Sequence, residues 1–170
     1  MHLAPGASLE DVIASVGGDR RTPVDRIQLL CVLGGEAESG EVQYLSHDIW
    51  HLDAECIEDH GDYVRLAERF AMLAKNDLQI SDFSDSVDVE SGEAWFEFND
   101  GGRRERWTIK VDNDWMDPAF YTRFQELLKR SGSKRRFMIC ALGQDSLVLC
   151  GEESLRREIS RFTGLEFAWE

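Results

Sequence analysis

Three of the four histidines fall within 14 residues, His47, His51 and His60, with Cys56 between them. Imidazole and thiolate together make a competent zinc set, and His47 and His51, four residues apart, would share a face if their segment were helical. The four define one candidate, a metal-dependent enzyme or metal-binding protein. Their spacing matches no regular zinc finger, there is no HExxH, and Cys56 has no thiol neighbour, so histidines on a polar segment are the preferred reading. Asp112, Asp114 and Asp117 begin like a calcium loop, but Asp117 stands where that loop requires Gly and Arg123 where it requires a bidentate Glu. Asp117 reads instead as a helix cap. Asp112 and Asp114, just before that helix, gain from its positive end. There is no GxSxG, P-loop or dinucleotide fingerprint, and none of Cys31, Cys56, Cys140 and Cys150 has the basic surroundings of a reactive thiolate in sequence. No catalytic residue and no cofactor is assigned, and the expectation is a protein that is not an enzyme.

Charge is more informative. Residues 27 to 102 carry 18 acidic side chains against three basic ones, whereas the whole chain has a formal net charge of −14. No Lys or Arg occurs from Ile27 to Val64 or from Asn76 to Gly102. Segregation of this kind serves a field aimed at a cationic partner better than it serves general solubility. It also argues against nucleic acid as a ligand, since binding phosphates requires clustered bases. Met1 to Gly18 has neither a basic nor a long apolar run and no span of ~18 apolar residues occurs anywhere, so a cytoplasmic protein with no membrane contact is expected. Four cysteines without a CxxC pair are expected to stay reduced. With 42% hydrophobic residues and five Trp, the chain has the means to fill a core.

The elements that must carry these residues follow from caps and periods. Ser8 with Asp11 forms a capping-box pattern ahead of Leu9, Val12 and Ile13. Thr22-Pro23 opens a second helix over Val24 to Cys31, although Ile27 to Leu33 also reads as a buried strand. Residues 36 to 62 are polar and acidic. Asp62 is expected to cap a helix with Tyr63, Leu66, Phe70 and Leu73 on one face. The period then changes to two, with Val87 and Val89, Glu93 to Phe98, a turn at Asn99 to Gly102, and Trp107, Ile109 and Val111. Across that hairpin Arg104, Arg106 and Lys110 are expected to face Glu93 and Glu97. Asp117-Pro118 starts a further helix, Arg136 to Leu142 and Ser146 to Cys150 pair around Gly143, and a last helix ends at Gly164 before a terminal strand. The order predicts a single α+β domain over residues 1 to 170, an antiparallel sheet covered by helices, with residues 1 to 35 as a helical appendage.

Trp95 and Trp107 are expected in the core, while Trp50 and Trp115 are embedded in acids, a mixture that suits an interface anchor with an anionic rim. The expected partner surface is Asp48, Trp50, Asp53, Glu55, Glu58 and Asp59, with Asp114 and Trp115 as a second choice. Over His47 to Asp62, Asp82 to Glu97 and Asp112 to Asp117, the chain resembles the small, acidic, cytosolic immunity proteins of bacterial toxin systems. The resemblance implies a one-to-one inhibitor that blocks a cationic protein by occlusion, with opposite charge raising the association rate. An acidic mimic of nucleic acid, competing for a DNA-binding protein, is a further alternative.

Overall fold

The computed structural model describes residues 1–17, 25–37 and 43–169. The α+β class and the antiparallel pairing expected from the sequence are what it shows. The strands divide between two sheets, and the chain forms two compact units, Met1–Asp53 with Phe137–Glu170, and Ala54–Arg136.

In the first unit, α1 (Leu9–Ser15) begins at the expected capping box, with the Ser8 hydroxyl accepting from Asp11 N–H and the Asp11 carboxylate accepting from Ser8 N–H. The disputed run 27–33 is helical within α2 (Arg26–Gly34), whose N-cap is Asp25, accepting from Ile27 and Gln28 N–H. The Thr22-Pro23 cap lies outside the described residues. The sheet has the order β1 (Ile49–Asp53), β6 (Asp145–Gly151), β5 (Arg136–Ala141), β7 (Ala168–Trp169), with α5 (Glu153–Thr163) before the last strand. Leu30 of α2, Ile159 of α5 and Phe167 join Ile49, Met138, Cys140, Leu147 and Leu149 in one core cluster. Leu142 N–H bonds Asp145 C=O, which sets Cys140 opposite Leu147 and leaves Cys150 on the other face of the sheet. Cys140 and Cys150 are therefore both buried and neither is in a disulfide.

The second unit runs α3 (Asp62–Ala74), β2 (Ile80–Asp88), β3 (Glu93–Asp100), β4 (Arg103–Ile109) and α4 (Pro118–Arg130), with sheet order β2-β3-β4. Period-two alternation places Ala94, Phe96 and Phe98 on one face, where Tyr63 and Phe70 of α3 and Phe120 and Phe124 of α4 close over them. Phe70 and Phe124 stack at 4.7 Å, and Trp107 meets Phe98 edge-on at 4.8 Å. Such pairs add ~0.5–1.5 kcal/mol each beyond area burial.

Three local expectations are corrected. Asp62 does not cap α3; the N-cap is Gly61 at φ 97, and the Asp62 carboxylate turns back to accept from Glu58 and Asp59 N–H. The helix start is served from β2 instead, where the Asp85 carboxylate accepts from Gly61 N–H at 2.6 Å and Val64 N–H at 3.1 Å. Across the hairpin both Arg104 and Arg106 reach Glu97, but Glu93 stands opposite Asp88 and Lys110 pairs with Asp112. Trp95 is on the outer face rather than in the core, half-buried under Arg106 at 4.0 Å.

Candidate functional site

In the unit Ala54–Arg136, two loops far apart in sequence are laced together ahead of two helices. Met116 N–H bonds Ala54 C=O at 2.8 Å, Ile57 N–H bonds Asp114 C=O at 3.0 Å, and Glu55 and Trp115 are antiparallel bridge partners. The second loop turns tightly because Trp115 N–H reaches Asp112 C=O and Asn113 takes φ 53, a left-handed conformation that Asn tolerates. Asp117 fixes the far end of that loop, as the sequence predicts: its carboxylate accepts from Ala119 N–H and from Lys110 N–H. Its own N–H donates to the buried Tyr63 hydroxyl at 3.0 Å, and the Tyr63 ring meets Phe120 edge-on. Burial pushes the Tyr63 hydroxyl up to about 12.

This lacing leaves Trp115 40% exposed beside Glu55, with Glu58, Asp59, Asp112 and Asp114 exposed on the same two loops. The adjacent cation is committed internally, because Arg65 donates to Cys56 C=O and Asp62. Burial works to raise the Asp62 carboxyl, but the Asp59 and Glu58 N–H groups and Arg65 outweigh it and hold it below the usual carboxylate range. Among the described residues no cation lies against the Glu58 or Asp114 carboxylate. The result is an exposed indole on a pair of loops rich in exposed carboxylates, of which Asp112 is paired with Lys110. Arg106 shows what such a surface does to a guanidinium, since it stacks on Trp95 while donating to Glu97 at 2.6 Å.

Asp48, Trp50 and Asp53 belong to the other unit. Trp50 is corrected: although β1 is an edge strand of its sheet, Trp50 is 7% exposed there, paired with the buried Val148 and flanked by the buried Ile49 and Leu52. It is not a surface anchor. Asp48 accepts from His2 N–H at 2.7 Å, and Asp53 accepts from Gln144 at 3.0 Å. Asp112 is a member of the acidic surface that sequence reasoning set aside as a helix-end charge; its place in one turn with Trp115 was the available signal.

The histidine and cysteine set does not assemble into a metal centre. His60 Nδ1 accepts from Val87 N–H at 2.9 Å, and His51 Nε2 lies 3.6 Å from Asp145. Among the described residues no group of three or more His, Cys, Asp and Glu could hold a metal ion. Cys31 and His51 line a cleft of about 270 Å³. Burial, together with the charges of Asp145 and Asp25, pushes the Cys31 thiol up, the opposite of what a nucleophilic thiolate requires. Among the described residues no helix is long and apolar enough to cross a membrane.

No family model, curated protein or solved structure matches this chain. Fold and site together define it as an α+β protein with an anionic loop surface centred on an exposed Trp.

Proposed function

We propose that the protein captures a basic protein partner on the 54–62 and 112–116 loops and blocks it by occlusion, as an immunity protein does its toxin. The observation that carries this reading is the placement of exposed Trp115 against Glu55, with Glu58, Asp59, Asp112 and Asp114 on the same laced loops. An Arg of the partner stacked on Trp115 beside Glu55 would repeat the arrangement Arg106 makes with Trp95 and Glu97. A buried aromatic anchor of this kind is worth ~2 kcal/mol or more, and the surrounding carboxylates contribute chiefly to encounter rate and partner choice.

The test is parallel capture with the wild-type chain, a Glu55→Lys, Glu58→Lys, Asp59→Lys triple variant and Trp115→Ala. A partner of this surface is retained in stoichiometric amount by the wild-type chain and lost from both variants, whereas proteins held by all three are background. Retention of every captured protein by both variants contradicts the assignment.

A further inference from the structure

We propose that the outer edge of β4, with the groove between β4 and α4, binds an extended acidic segment of another protein by adding it to the sheet as a fourth strand. This surface is separate from the Trp115 loops and does not depend on their function.

The open edge follows from the ladder. Val87 N–H donates to His60, so the Val87 peptide points away from β3. Antiparallel alternation, carried through the Val87↔Ala94 and Ala94↔Ile109 pairs, then turns the peptide groups of Arg104, Arg106 and Thr108 outward from β4. Two contacts agree with that assignment: Thr108 C=O accepts from Arg123 at 2.9 Å, and Lys110 N–H, next in the same alternation, donates to Asp117. Among the described residues the peptide N–H and C=O of Arg104 and Arg106 have no partner. The β2 edge differs, because His60 occupies it.

Beside this edge, Trp107 of β4 and Leu127 of α4 line a groove of about 180 Å³ together with Arg123, Glu126 and Glu105, the last paired with Arg130. A strand added here would alternate its side chains between the groove and the outer face that holds Arg104 and Arg106. Charge selects the occupant. Arg104 and Arg106 share the single carboxylate of Glu97, while among the described residues Arg103 and Arg123 meet no carboxylate. On the outer face, two arginines on one carboxylate leave a local surplus of positive charge in a chain of net charge −14. A second copy's β4 would set arginines against arginines, so the edge repels its own kind. An extended segment alternating acidic and apolar residues meets both the arginines and the Trp107 groove.

The test uses isotopically labelled full-length protein and a short capped peptide alternating Glu and Val. The amides of Arg104, Arg106 and Thr108 are expected to shift, and exchange at Arg104 and Arg106 to slow ~tenfold when free peptide is about nine times its dissociation constant. Arg106→Pro removes an outward N–H that β3 does not use, and Arg123→Glu reverses a rim charge outside the sheet; each is expected to weaken binding ~tenfold. A Lys and Val peptide, or the Glu and Val peptide N-methylated at alternate residues, should leave these amides unchanged. No response of the three amides at millimolar peptide, equal binding of the Lys peptide, or a response confined to β2 would overturn the proposal.

Discussion

Replacing Tyr63 by Phe removes one oxygen and leaves the aromatic packing in place, so it isolates the bond that ties the Trp115 loop to α3. The hydroxyl is buried, with Tyr63 1% exposed, and it is the acceptor for Asp117 N–H at 3.0 Å. Its loss removes a net ~1 kcal/mol hydrogen bond and leaves a buried donor unsatisfied, for a combined cost of about 1.5–3 kcal/mol. The ring contact with Phe120 at 4.8 Å should survive, so no cavity term is added. For a chain of this length, that corresponds to a melting temperature lower by ~3–12 °C. Urea unfolding followed by Trp fluorescence and by circular dichroism measures the loss as a shift of midpoint at unchanged slope. A loss below ~0.5 kcal/mol would refute the assignment of Tyr63 as the buried tether, because surface-like substitutions fall in that range.

Tyr63 also predicts an alkaline limit. With its hydroxyl raised to about 12 in the fold, its contribution is complete below the ordinary phenol pKa of ~10 and is lost as pH rises from there through about 12. Ultraviolet titration should show a tyrosine step near the upper value that is missing from Tyr63→Phe. Gly34→Ala would put a Cβ 2.5 Å from His51 N and 2.8 Å from the Trp50 carbonyl carbon, both backbone, and should cost about 2 kcal/mol or more. Gly151→Ala meets the flexible end of Leu155 first and should cost less; the reverse order of midpoints in urea would contradict this packing. Asp85→Ala strips two N–H groups at the start of α3 of their acceptor and is expected to cost about 1–2 kcal/mol, with faster amide exchange at Gly61 and Val64.

Elements with local chemical signals are legible in the sequence. Asp117-Pro118 announces α4, Ser8 with Asp11 announces α1, and the change of period after Asn76 announces the β2-β3-β4 meander. Long-range choices are not. Nothing local says that β1 pairs with β6 almost a hundred residues on, which is why Ile49, Trp50 and Leu52 read as a decorated polar segment and Trp50 as a surface anchor. Helix α3 shows the same limit in reverse: its N–H groups are served by Asp85, so Asp62 is left to order the loop before it. For the candidate surface, the acids of 54–62 and the Asp112–Trp115 turn are each visible alone, but their meeting depends on Ala54–Met116 and Ile57–Asp114 bonds that no spacing rule encodes.

The most direct measurement is the dissociation constant of the captured partner, determined by calorimetry for the wild-type chain and for the Glu55→Lys, Glu58→Lys, Asp59→Lys variant at low and at physiological salt. Affinity of the wild-type chain should fall as salt rises, since exposed charges are screened within ~8 Å at 0.15 M. The triple variant should bind more weakly at both salts and lose most of that dependence. Equal affinity and an equal salt dependence for the two proteins would contradict the acidic, Trp115-centred surface as the partner site.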